Sequence, residues 1–298
     1  MRTWKFTKHL NFTAERLSYN VSRLFAATTV LLLVGIFLFL TITGIGTFRH
    51  VPFGEFFLGT NWNPTAYQQQ SWGILALVVG SLIVSSLALV FAIPLGFAIA
   101  LYLSEVASPR KREILKPLVE TVASVPSVVL GLLGLIVFAP VIARLFHVSS
   151  GLNALTASFL VGIIAVPTIA SICEDALRNV NMKFREASMA LGATKWTTIG
   201  KVVVPAAVSG ITAGVMLGFG RAVGETMIVL MVAGNSRAFP TSFLSPVRPM
   251  TATIAIDIKE AVVGTLHWQS LFAIGLVLFI VTFFLNFIAD IILHIRKV

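Results

Sequence analysis

Long apolar runs separated by short polar segments dominate the chain. About six of them reach the ~20 residues that a helix needs to cross the hydrocarbon core of a bilayer. They fall at about 24–47, 73–103, 118–145, 154–173, 205–233 and 268–293. Lipid offers no partner to an open backbone N–H or C=O, so each run is expected to be a helix hydrogen-bonded within itself. The second is long enough to tilt or protrude. The first is too long for a signal-peptide core, and no small-residue cleavage site follows at Gly44-Ile45-Gly46, so it is expected to remain as an anchor. Ahead of it, Phe6, Leu10, Leu17, Val21 and Leu24 share one helical face, with Lys5, Lys8, Arg16 and Arg23 lying away from it. That pattern predicts a cytoplasmic amphipathic segment over residues 1–23, followed by a membrane domain over 24–298.

Composition agrees: 57% of residues are apolar, 11% are charged, and the mean hydropathy is +0.93. The fold class is therefore all-α integral membrane. A formal charge of +10 would suggest nucleic acid in a soluble protein, but here Lys and Arg sit in short connecting segments and report orientation. One side holds Arg2, Lys5, Lys8, Arg16, Arg23, Arg110, Lys111, Arg112, Lys116, Arg178, Lys183, Arg185, Lys195, Lys201, Arg296 and Lys297; the other holds Arg49, Arg144, Arg237, Arg248 and Lys259. Both termini are thus expected in the cytoplasm, which demands an even number of spans. On the outer side Trp62, Tyr67, Trp72 and Trp268 read as interfacial anchors, next to an ordered, proline-containing stretch over 240–249. Cys173 has no second thiol to pair with, and His9, His50, His147, His267 and His294 are scattered singly, so neither a disulfide nor a metal site is expected. No Gly-rich Lys-Ser/Thr loop is present, so the chain itself is expected to bind no ATP or Mg²⁺. Any energy from ATP has to come from a partner chain.

The segment 179–205, between the fourth and fifth runs, reads as two short helices. Asn181 is a candidate N-cap, Gly192 a left-handed stop, Thr194 a second N-cap, and Pro205 the first turn of the fifth span. Phe184, Ala187, Ser188 and Leu191 line one side of the first helix, giving an apolar and small-residue face on a segment that should be wet. Periodicity leaves two readings open: a partner covers the face, or it packs on this protein's own surface. Glu186-Ala187-Ser188, three residues, Gly192, nine residues and Val202-x-Val204-Pro205 resemble the EAA loop of ABC-importer permeases, Glu-Ala-Ala, three residues, Gly, nine residues, Ile-x-Leu-Pro. Ser188, Val202 and Val204 are mild departures, while Glu186, Gly192 and Pro205 keep their spacing. The resemblance implies that residues 184–196, including Phe184, Leu191 and Trp196, insert into a groove of an ATPase subunit and carry its closure to the membrane helices.

In the fifth run Arg221 and Glu225 stand four residues apart on one helical face and can pair. An Arg at mid-membrane costs about 2.5–3.5 kcal/mol on insertion scales, so the pair is expected to face the protein interior or an aqueous route. Gly210, Gly214 and Gly218 recur alongside and permit close approach of a neighbouring helix. Two readings stand: a salt bridge that pins helices, or an Arg221 fork presented to a transported oxyanion, with Glu225 orienting or releasing the guanidinium.

Arg221-Ala-Val-Gly-Glu225-Thr-Met resembles the fifth-span signature of phosphate-specific ABC permeases. Ser124-Val-Pro126-Ser127-Val-Val-Leu-Gly131-Leu-Leu-Gly134 is similar to the family's Pro-Ser-x-x-x-Gly segment. Trp62-Asn-Pro, Pro94-Leu-Gly96, Tyr102-Leu-Ser-Glu105 and Met250-Thr-Ala-Thr extend the likeness over roughly residues 60–290, and Met227 with Trp62-Asn-Pro favours the C-type subunit over its A-type partner. The resemblance implies a type I importer permease (MetI-like) bundle in a prokaryotic inner membrane. The implied partners are an A-type permease subunit, a pair of ATPase subunits, and a periplasmic or lipid-anchored phosphate-binding protein; phosphate is the implied cargo. Sulfate or molybdate is the rival cargo, because an Arg fork suits any tetrahedral oxyanion. A partner-independent secondary transporter would have no reason to display the EAA-like loop. Among weaker candidates, Glu105 and Glu120 read as interfacial residues ahead of a transport role, and Arg237 and Arg248 as solvated loop charges ahead of contacts with the binding protein. Ser124 and Ser127, flanking Pro126, read equally as kink stabilisers or pathway ligands.

Overall fold

The computed structural model describes the backbone of residues 3–295 and the side chains of residues 19–287 and of Ile291. Apolar runs become helices throughout: α1 (Thr3–Ile45), α3 (Leu75–Leu101), α5 (Ser127–Leu133), α6 (Ala139–Leu145), α7 (Ala154–Arg178), α11 (Val208–Gly224) and α14 (Leu266–Ile295). Shorter helices join them: α2 (Phe53–Leu58), α4 (Pro109–Ser124), α8 (Met182–Ala190), α9 (Lys195–Thr198), α10 (Val204–Ala206), α12 (Met227–Val232) and α13 (Met250–Asp257). A small antiparallel hairpin, β1 (Trp62–Asn63) with β2 (Ser71–Trp72), pairs Trp62 with Trp72. Among the described residues, five helical stretches are long and apolar enough to cross a membrane: Tyr19–Arg49, Leu75–Val106, Ser127–Leu145, Ala154–Arg178 and Leu266–Phe287. A sixth is a bent pair, Lys195–Ala206 and Val208–Gly224, meeting at 70°.

Several boundaries differ from the hydropathy pattern, each for a local reason. The third span begins at Ser127, because Pro126 forces Val125 out of the helical region (φ −62°, ψ 126°). Residues 118–124 therefore close the separate helix α4. The fifth run is interrupted twice. A π turn over Ile199–Val203 precedes Pro205, and the axis bends at Ala207, so Pro205 ends the approach to the bend instead of opening a straight span. The second interruption falls at Glu225, whose backbone is extended (φ −68°, ψ 127°). At the other end of the chain, α1 runs unbroken through residues 23 and 24. The side chains of Phe6, Leu10, Leu17, Lys5, Lys8 and Arg16 lie outside the described residues.

The centre of the bundle is α7, packed between α3 and α11. Its contacts rest on small residues, as expected where lipid removes the hydrophobic drive and packing has to hold the helices. A Cβ on Gly96 would stand 2.9 Å from Ile169 Cβ, and one on Gly214 would stand 3.0 Å from Cys173 Sγ. Gly210 and Gly218 meet Ala176 and Ile169 in the same seam, so the glycine row serves α7. Helices α1 and α14 pair antiparallel: Gly44 lies against Ala273, and the rings of Phe37 and Phe279 are 5.5 Å apart. The start of α1 and the end of α14 consequently lie at the same end of the bundle, here called the basic end, which also carries α4 and the 179–205 segment.

The opposite end, marked by the hairpin, has its own core of Phe56, Trp62, Trp72, Ile74, Leu77, Met250, Leu271 and Ile274. Trp62 is fully buried and Trp72 nearly so, which corrects their reading as interfacial anchors. Trp62 Nε1 donates to Asp257 Oδ2 at 2.8 Å, and Arg248 pairs with Oδ1 of the same carboxylate. Arg248 is thus a buried partner, not a solvated loop charge. Burial pulls its pKa down, and the Asp257 charge opposes that pull. Arg237 is also engaged, donating to Asn63 Oδ1 at 2.8 Å. Tyr67 is exposed, and Trp268 packs on Phe272 with ring centroids 4.4 Å apart.

Candidate functional site

Two interrupted helices meet on a partly exposed side of the bundle. One interruption separates α4 from α5 at Val125-Pro126; the other separates α11 from α12 at Glu225-Thr226. Helix α12 packs along α5, with Met231 seated against Gly131, and Val232 and Leu160 closing over Gly134. Arg221, in the last turn of α11, reaches from one break to the other: its Nη2 donates to the carbonyl of Ala123 at 3.1 Å. That carbonyl belongs to the last turn of α4, where no intrahelical N–H is available, so the guanidinium satisfies an orphan acceptor at the negative end of a helix. Arg221 is exposed on the single chain, and among the described residues its other guanidinium donors have no acceptor.

Glu225 does not pair with Arg221. Its Oε1 instead accepts from the backbone N–H groups of Thr226, Met227 and Ile228 at 3.1, 3.0 and 3.2 Å. The i, i+4 relation that would have joined the two side chains is lost because the helix ends at Gly224, and the carboxylate turns to cap α12. Thr251 ties the break to α13 by donating to the Glu225 carbonyl at 3.0 Å. Ser124 lies at the end of α4, exposed, with its hydroxyl given to Thr121 O at 2.7 Å. Ser127 opens α5 and is half-buried. The structure thus gathers Arg221, Glu225, Ser124 and Ser127 around the two breaks, with Ser124 committed to the backbone.

The 179–205 segment folds at the basic end as its capping residues dictate. Asn181 Oδ1 accepts from Lys183 N at 3.0 Å to start α8, and Thr194 Oγ1 accepts from Thr197 N at 3.3 Å to start α9. Gly192 ends α8 with φ +81°, a conformation that costs an L side chain roughly 1–2 kcal/mol. Phe184, Leu191 and Trp196 are 59%, 90% and 67% exposed, and Glu186 and Ala187 are open beside them. Ser188 departs from that face: its hydroxyl lies 2.9 Å from Thr198 Oγ1 and ties α8 to the start of the bent span.

Beneath the open face, Arg185 anchors α8 to two spans. Its Nη1 lies 2.7 Å from both carboxylate oxygens of Glu105, at the end of the second span, and its Nη2 donates to Leu177 O in α7 at 2.8 Å. The Glu105 side chain, 5% exposed, is thus held in a structural pair at the end of the second span, while Glu120 remains exposed. A second ionic cluster, which hydropathy does not reveal, centres on Glu174. This fully buried carboxylate meets Arg112 and Lys116 of α4, each at 2.7 Å, and Lys116 also reaches Asp175 at 2.8 Å. Burial works against the charge on Lys116, but hydrogen bonds to Asp175 and Glu174 outweigh it and hold its pKa above the usual 10.5. The i, i+4 spacing of Arg112 and Lys116 opposite a Glu-Asp pair was the available signal.

The chain is similar to known proteins. Residues 92–295 match the family described as binding-protein-dependent transport system inner membrane component. The chain is 37% identical over 254 residues to the phosphate transport system permease protein PstC of Mesorhizobium japonicum, covering 79% of this chain and 76% of that one. It is 34% identical over 302 residues to the Pasteurella multocida protein of the same name, covering 94% and 92%. It is also 36% identical over 252 residues to the probable ABC transporter permease protein YqgH of Bacillus subtilis, covering 84% and 81%. In fold it resembles a chain of the bacterial alginate ABC transporter (TM-score 0.59, 15% identity, 97% and 96% covered). A chain of the inward-facing MetNI methionine ABC transporter is similar too (TM-score 0.55, 18% identity, 75% and 94% covered). Matched by the family model over residues 92–295 and by relatives of 34% and 37% identity over most of its length, this chain belongs to the family of binding-protein-dependent transport system inner membrane components.

Proposed function

We propose that the chain is the C-type permease subunit of an ATP-driven importer of inorganic phosphate. One observation carries the reading: Arg221 stands where two interrupted helices meet, exposed on the single chain and held by one hydrogen bond to Ala123 O. A permanently charged, planar donor in a span is too costly to keep without an acceptor, and a tetrahedral oxyanion suits its fork. The phosphate transport relatives support phosphate as that oxyanion. An A-type permease subunit would face Arg221 and complete the route. ATP and Mg²⁺ would be held by a pair of ATPase subunits docked on Phe184, Glu186, Ala187, Leu191, Gly192 and Trp196, and a periplasmic or lipid-anchored binding protein would deliver phosphate to the hairpin end. In that arrangement the basic end faces the cytoplasm of a prokaryotic cell, both termini included, and residues 1–23 precede the permease domain.

The experiment is phosphate uptake by proteoliposomes holding the assembled complex, with sulfate and molybdate compared. Phosphate alone should stimulate ATP hydrolysis by the wild type, and Arg221→Gln should abolish uptake while the complex still assembles. Stimulation by sulfate in place of phosphate, or normal uptake by an assembled Arg221→Gln complex, would refute the reading.

A further inference from the structure

Helix α4 joins two places that are otherwise far apart. Near its start, Arg112 and Lys116 grip Glu174 of α7 from one side, at 2.7 Å each, and Lys116 continues to Asp175. At its last turn, the Ala123 carbonyl receives Arg221. Lys116 and Ala123 are separated by about 10 Å of helix, at ~1.5 Å rise per residue. No side chain of α4 is buried, so this helix lacks the apolar packing that fixes α3, α7 and α11. Arg112, Leu115, Lys116, Val119 and Ala123 form its half-buried face, while Ile114, Leu118 and Val122 on the far side are exposed. The position of α4 along α7 is therefore set by charge as well as by the half-buried Leu115 and Val119, and charge pairs of this kind are directional where apolar contact is not. Glu174 is the fixed member: it lies wholly inside the bundle, where a lone carboxylate is too costly to leave without its cations.

We propose that the Lys116–Glu174 bridge is a positioning device for transport, holding α4 so that the Ala123 carbonyl aims the Arg221 guanidinium at its anion. The proposal rests on the reading of Arg221 as the anion's contact. Lys116 is the residue to test, because Arg112 still serves Glu174 when Lys116 is replaced and the fold keeps a neutralised carboxylate.

In the purified, reconstituted complex, Lys116→Met should raise the phosphate concentration for half-maximal uptake about ten-fold, the loss expected when one charge-assisted hydrogen bond is disturbed. Lys116→Arg should restore it. In an Arg221→Lys background, whose ammonium already lacks the fork, Lys116→Met should add nothing, since both changes act on one contact. An unchanged half-saturation, or a loss that multiplies with that of Arg221→Lys, would overturn the proposal. A substrate-free measurement separates this from the identity of the cargo. Amide hydrogen exchange over residues 119–125 should speed up in Lys116→Met and return to wild type in Lys116→Arg. Unchanged exchange would sink the positioning role whatever the complex carries, whereas faster exchange in a complex that ignores phosphate would refute only the cargo.

Discussion

Arg185 of α8 lies 2.7 Å from both carboxylate oxygens of Glu105 at the end of the second span. A segment whose outer face is open to solvent is thereby bolted, on its inner face, to the membrane helices. Arg185→Ala would leave Glu105, 5% exposed in its side chain, without its cation. Removing one partner of such a pair costs about 3–5 kcal/mol. We expect that variant to lose thermal stability in detergent and its complex with the ATPase subunits to hydrolyse ATP without moving phosphate; stimulated uptake at wild-type level would show that the bolt is not part of the coupling.

Glu225 should behave as a helix cap. Glu225→Gln keeps an oxygen that can accept from Thr226, Met227 and Ile228, so its melting temperature should stay near wild type. Glu225→Ala removes the acceptor and should destabilise the protein by about 1 kcal/mol. A large loss in the Gln variant, matching the loss on removing Arg221, would point instead to an ion pair between the two.

Gly192→Val introduces a β-branched side chain at φ +81°, at a cost of roughly 1–2 kcal/mol or more. The surroundings are open, with nothing near the added Cβ, so the strain should act on the turn between α8 and α9 and not on the core. Reduced co-purification of the ATPase subunit from an otherwise stable membrane domain is the expected outcome, and unchanged co-purification with unchanged transport-linked hydrolysis would count against docking there.

At the hairpin end, Trp62→Phe preserves the aromatic bulk but withdraws the N–H that Asp257 accepts at 2.8 Å. Leaving that buried acceptor short of a donor should cost about 1–3 kcal/mol, read as a lower unfolding temperature. Arg248→Met should be worse, because the Asp257 charge then lacks its cation. Equal melting curves for wild type and both variants would show that the network contributes nothing.

Local chemistry made part of this legible before any coordinates. Asn181, Gly192 and Thr194 act on residues within a turn of themselves, so their spacing alone predicted where α8 and α9 begin and end. The spans followed from length and hydropathy, because a bilayer leaves a chain few alternatives. The breaks were harder. Gly-Glu-Thr-Met continues an apolar run, and Arg221 and Glu225 carry the spacing of an ion pair; only the extended backbone at Glu225 turns the carboxylate into a cap. Long-range partners left little local trace beyond the i, i+4 spacing of Arg112 and Lys116. Trp62 finds Asp257, and Lys116 finds Glu174, across distances in the sequence that no periodicity records, and so two tryptophans at the hairpin end read as interfacial anchors when they are core.

The lone cysteine acquires a practical meaning from its place in the seam. Cys173 is fully buried, and the space that a Cβ on Gly214 would need lies 3.0 Å from its sulfur. A thiol reagent can reach it only while α7 and α11 stand apart. The unmodified protein thus carries its own clock: the rate at which Cys173 is alkylated, with and without ATP, times the parting of two helices with no label added and no residue changed.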